Sequence, residues 1–156
     1  MYSALDVAQY VIEKYWQGGS PITNLKLQKI LYYIQGYAFK RYNEPAYSED
    51  IYRWPYGPVV PEVYFEYNRF RGSPISEPSD NEMTAALKRL KTDKALLSVV
   101  DSVIDKSVAY TAAQLVEKTH NETPWQTTKD AEIIPPSLID RYFTANDPLQ
   151  IEDTNK

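Results

Sequence analysis

The stretch Asn24 to Tyr42, NLKLQKILYYIQGYAFKRY, constrains this chain more than any other. At about 100° per residue, Leu27, Ile30, Leu31, Ile34, Tyr37 and Ala38 fall on one broad apolar arc. The opposite arc is no solvated face: it carries Leu25, Tyr32 and Phe39, with Lys29 and Lys40 beside them. A helix that is apolar on two sides lies between other elements. Gly36 stands in its middle, where glycine costs roughly 1 kcal/mol against alanine. The expectation there is a neighbouring backbone crossing close by. Thr23 is a natural N-cap, and Pro21 with Gly18-Gly19 separates this helix from what precedes it.

What surrounds such a helix is bounded by composition. The chain has 156 residues, the size of one domain able to bury a proper core. It has no cysteine, which excludes disulfides, thiolate zinc sites and a cysteine nucleophile together. No basic segment followed by an apolar run stands near the N-terminus, and no apolar stretch approaches the roughly 20 residues that span a bilayer. A soluble cytoplasmic protein with no membrane association is expected. A net charge of -4 argues against nucleic-acid binding, which normally demands basic excess. The acidity is concentrated late: eight Lys/Arg and seven Asp/Glu lie up to Gly72, nine and fourteen after it. Fourteen tyrosines suit either a protein-binding surface or a core with satisfied hydroxyls, and composition favours the core.

Taken in order, Ser3 caps a first helix running to about Gln17. After the central helix and a break at Asn43-Glu44-Pro45, Tyr47 to Trp54 reads as a strand. Pro55-Tyr56-Gly57-Pro58-Val59-Val60-Pro61 is a rigid turn ending where Pro61 opens a short helix at its first position. Ile75 suggests an edge strand beside Tyr47 to Trp54. Further helices are expected from Asp80 (with Met83, Leu87 and Leu90), from Asp93, from the capping box Thr111 to Gln114, after Pro124, and after Pro135-Pro136. One mainly α domain follows over residues 1–146, with a short β hairpin or edge strands and a polar, flexible tail over 147–156.

His120, the only histidine, could be drawn as a general base with Glu122 and Asp130. A triad needs a third partner in an arrangement no sequence displays. The plainer expectation is structural: His120 and Glu122 cap the helix ending near Thr119 and fasten the Pro124-Trp125 turn to the core. Gln28 and Gln35, amides on an apolar helix, are expected to satisfy irregular backbone such as Pro55 to Pro61. Trp54, Tyr56, Gly57 and Pro58 would position one helix against another. Lys26, Lys29, Lys40, Arg41 and Arg53 read as solvated surface. No phosphate-binding glycine loop, HExxH or GxSxG elbow occurs.

Three segments in order resemble the SocA-like antitoxin family, also called the Panacea domain, which occurs in phage-associated proteins of the GepA type. They are LQKILYYIQGYA (Leu27 to Ala38), Ile51-Tyr-Arg-Trp54 with Tyr56-Gly-Pro-Val-Val-Pro61, and Thr119-His120-x-Glu122-x-Pro124-Trp125. The likeness spans roughly Ala4 to Phe143 and departs from the family pattern at Gln126-Thr127-Thr128, where an Ala-Arg pair is more usual. The resemblance implies a mostly helical, non-enzymatic domain without cofactor or metal. It implies an antitoxin that neutralises a cognate protein toxin, encoded by a neighbouring gene, through direct contact. The alternatives are an adaptor that delivers a partner to a protease, with residues 147–156 or another exposed segment as the handle, a phage-encoded regulator that binds a host protein or DNA, and a hydrolase that depends on His120. Under this reading the partner-binding residues are exposed members of Tyr32, Tyr33, Tyr37, Tyr52, Tyr64 and Tyr67.

Overall fold

A computed structural model describes residues 1–75 and 85–151. Helix α1 (Ala4–Gln17) starts at a capping box in which Ser3 and Asp6 satisfy each other's backbone N–H, and it ends at Gly18. Helix α2 (Asn24–Tyr42) is capped by Thr23, whose hydroxyl accepts from the Lys26 N–H, and closed by Asn43 in the left-handed conformation. Every residue from Leu27 to Ala38 is buried, so α2 is the axis of the fold, as its two-sided apolar pattern requires.

The axis is wrapped on all sides. Helices α5 (Lys94–Ser107), α6 (Ala112–His120) and α8 (Pro136–Ala145) pack against it together with α1. Asp93 caps α5 and the Thr111–Gln114 capping box opens α6, both at the expected places. Gly36 is explained by α8: a Cβ there would stand 2.3 to 2.4 Å from the Phe143 ring. The close neighbour is therefore an aromatic side chain, where a crossing backbone was expected. An aromatic face fills a glycine notch as fully as a helix would, and composition does not distinguish them.

The β structure is smaller than the sequence suggests. Strand β1 (Tyr52–Trp54) pairs antiparallel with β2 (Gly57–Val59) across the two-residue turn Pro55-Tyr56, with Gly57 at φ 112°. Tyr47 makes only an isolated bridge, to Tyr2. The other edge of β1 is covered by 131–134: the Arg53 N–H donates to the Glu132 carbonyl and the Ile134 N–H to the Ile51 carbonyl. The sequence places Ile75 on an edge strand beside Tyr47 to Trp54, but its N–H donates instead to the Ile22 carbonyl at 2.8 Å, in the link between α1 and α2.

Pro61 opens α3 (Pro61–Glu66) at its first turn, followed by a 3-10 turn at Asn68–Phe70. Helix α4 (Ala85–Leu90) buries Leu87 and Leu90, whereas Asp80 and Met83 lie outside the described residues. Helix α7 (Thr123–Gln126) is a single turn. The flexible tail placed after Asn146 is docked as far as it is described: the Tyr37 hydroxyl donates to Asp147, accepts from the Leu149 N–H, and Leu149 is buried. Leu149 in an otherwise polar stretch carries this contact. Among the described residues no helix is long and apolar enough to cross a membrane.

Candidate functional site

The hairpin between β1 and β2 is an irregular segment pressed against the axis, so the fate of its backbone polar groups decides its rigidity. Side chains from three other elements take them. Gln28 on α2 accepts from the Val60 N–H at 2.9 Å, donates to Asn24, and Asn24 in turn donates to the Tyr64 carbonyl of α3. Lys29 donates to the Pro58 carbonyl at 3.2 Å. The Trp125 indole of α7 donates to the Trp54 carbonyl at 2.9 Å, and His120 Nε2, at the end of α6, lies 3.0 Å from the Pro55 carbonyl. The Trp125 ring also carries the Arg53 guanidinium at 3.8 Å and stacks with His120 at 4.0 Å. Arg53 is held in place by Asp130 and by the Trp125 carbonyl. Gln28, Trp54, Gly57, Pro58, His120 and Trp125 thus form one brace. Gly57 belongs in it because a Cβ there would meet the Lys29 stem at 2.5 Å.

Glu122 secures the brace to the axis. It sits between α6 and α7, where the preference of Pro124 for the first turn of a helix fixes the chain direction. Its buried carboxylate accepts from the Tyr32 hydroxyl at 2.9 Å and the Tyr33 hydroxyl at 2.8 Å. Burial pushes its pKa up to about 7, opposed by those two hydrogen bonds and by Lys118. Burial, then the charge of Glu122, raises both phenols well above the ordinary range. His120 stacks on Trp125 and Glu122 bonds Tyr32 and Tyr33, but neither caps the preceding helix as expected: Asn121 closes α6, and Glu122 makes no side-chain cap to α7.

Four of the six tyrosines expected at a partner surface are core. Tyr32, Tyr33, Tyr37 and Tyr67 are buried, the first three in T-shaped contact with the Phe143 ring. Tyr32, Tyr33 and Tyr37 lie in the stretch of α2 from Leu27 to Ala38 that is buried throughout, and Tyr67 closes α3. Tyr52 and Tyr64 are half-buried. The exposed aromatics are elsewhere: Tyr56 at the hairpin tip is 69% exposed, and Phe65 on α3 is 64% exposed. Trp54, Tyr64 and Phe65 form a mutual T-shaped cluster with centroids 5.2 to 6.0 Å apart. Tyr56 therefore serves the fold through its backbone, while its ring projects away from it.

Lys29 was misplaced by sequence reading. It is fully buried rather than solvated, and burial pulls its pKa down to about 7. The signal was available, since it sits between Gln28 and Ile30 in a helix with no polar face. Phe65 also left a trace, as a large aromatic off the stripe of Val63, Tyr64, Tyr67 and Phe70 and next to Glu66. Among the other cations, Lys26 donates to the Tyr110 carbonyl and Lys40 to those of Phe143 and Asn146.

The brace residues fall almost wholly within one recognised family unit. No curated protein and no solved structure matches the chain. The family model described as Antitoxin SocA-like, Panacea domain, matches residues 27–126, more than half of the chain and the span from the start of the buried axis to the Trp125 clamp. The chain therefore belongs to the SocA-like antitoxin, Panacea-domain family.

Proposed function

We propose that this protein is an antitoxin that neutralises a cognate protein toxin, encoded by a neighbouring gene, by covering a working surface of that toxin. The observation that carries this reading is the pair of exposed rings Tyr56 and Phe65, the latter packed with half-buried Trp54 and Tyr64, on a hairpin and helix whose backbone is held from behind. Large aromatics dominate binding energy at protein interfaces, and a surface already ordered before contact loses little entropy on docking. The cluster is the centre of a contact that should bury on the order of 1,200 to 2,000 Å² in total. Neutralisation then depends on a slow off-rate. The protein acts in the cytoplasm as a binder without chemistry of its own. The adaptor alternative is less favoured, because Asp147 and Leu149, within its proposed handle, are tied to Tyr37. Co-expression with the product of the adjacent open reading frame tests the proposal: growth is restored and the two proteins co-purify with partner abundance unchanged. Loss of the partner only when a protease is present would favour delivery instead.

A further inference from the structure

Beneath the hairpin lies a group that the binding surface itself does not use. Lys29 is 0% exposed, and its stem runs under Gly57 so closely that a Cβ there would stand 2.5 Å from its Cε. Its amine has one hydrogen-bond acceptor among the described residues, the Pro58 carbonyl at 3.2 Å. The nearby Thr119 hydroxyl donates its own proton to the Val116 carbonyl. An ammonium carries three N–H donors and a full charge, so in this slot it would hold two unsatisfied donors away from water. A neutral amine fits the slot and still donates to Pro58.

We infer that neutral Lys29 is a latch for the Pro55-Tyr56 hairpin, and that gaining a proton there loosens the hairpin and with it the display of Tyr56 and Trp54. A charged Lys29 reaches water only by withdrawing its stem from beneath Gly57, and that stem is what the hairpin rests on. Burial places the amine pKa at about 7, inside the range where a cell can change its charge. No neighbouring charge contributes to that displacement; burial is its only cause. Among the described residues no charged or titratable side chain bonds the Lys29 amine. Arg53 of β1 faces Trp125 and Asp130, and His120 of α6 faces the Pro55 carbonyl. Tyr32 and Tyr33 of α2 face Glu122, and Lys118 of α6 opens toward the depression lined by Asn121 and Asp147.

The latch is a property of the protein alone, whereas its effect on partner binding rests on the antitoxin reading. The test therefore uses the isolated chain. The Lys29 side-chain resonance and the backbone amides of Gly57 and Val60 are followed by NMR across neutral pH. Lys29 should titrate with a midpoint near 7 instead of the ordinary 10.5, and the two amides should shift with the same midpoint. Lys29→Met, similar in length and uncharged, should abolish the amide shifts, while Glu122→Gln, which keeps an acceptor for Tyr32 and Tyr33, should retain them. A Lys29 midpoint near its ordinary value overturns the inference without any variant. So do amide shifts that persist in Lys29→Met, or that vanish in Glu122→Gln. A confirmed latch in a protein that rescues no toxin would leave this inference standing and remove only the antitoxin reading.

Discussion

Two aromatic clusters adjoin the hairpin brace, and they are built from the same kind of contact. The inner one joins Tyr32, Tyr33, Tyr37, Tyr142 and Phe143; the outer one joins Trp54, Tyr64 and Phe65, with Tyr56 at the hairpin tip. Both are T-shaped, with similar centroid separations. The difference is in the hydroxyls. Inside, Tyr32 and Tyr33 donate to Glu122, and Tyr37 to Asp147. Outside, the Tyr56 and Tyr64 hydroxyls have no hydrogen-bond partner among the described residues. A fully buried phenol needs an acceptor, and for Tyr32, Tyr33 and Tyr37 of the inner cluster the acids Glu122 and Asp147 supply it.

The sharpest way to break this contrast is to truncate one ring in each cluster. Phe143→Ala empties the notch over Gly36 and should cost about 3 to 5 kcal/mol in urea unfolding. Phe65→Ala should fall within roughly 0.5 kcal/mol of the parent, as an exposed substitution that leaves no cavity. Comparable losses at both positions would show that the outer cluster is core after all.

The acceptor can be probed through pH. The Glu122 pKa in the fold, about 7, lies above its ordinary 4.5, so the native state holds this proton more tightly. Its contribution to stability is full below about 4.5 and is lost as pH rises through 7. Lys29 runs the other way: its contribution is full above 10.5 and is lost as pH falls through about 7. Glu122→Gln should therefore flatten the decline in stability between pH 4.5 and 7 while leaving the rise above 7 intact. Parallel stability profiles for parent and variant would mean that Glu122 is not the buried acid the inner tyrosines depend on.

Much of the fold was legible because local signals agreed with it. Ser3, Thr23, Asp93 and the Thr111–Gln114 box mark helix starts by chemistry that acts within four residues. The two-sided apolar pattern of Asn24 to Tyr42 gave its burial, and the amides of Gln28 and Gln35 both serve irregular backbone, at Val60 and at Ala46 with Tyr47. Contacts between distant residues were not legible. The Phe143 ring over Gly36, the coverage of β1 by 131–134, and the docking of Leu149 on Tyr37 all join segments far apart in the chain. Lys29 shows the same limit in another form. A lysine is ordinarily solvated, and only the hairpin arriving from thirty positions onward encloses this one.

The central claim is that the outer cluster is kept exposed for a partner while the brace behind it keeps the fold. Thermal unfolding and toxin rescue of the double variant Tyr56→Ala with Phe65→Ala, measured side by side, test it most directly. The account predicts an unfolding midpoint within a few degrees of the parent and loss of both rescue and co-purification. Full rescue by a folded double variant would contradict it.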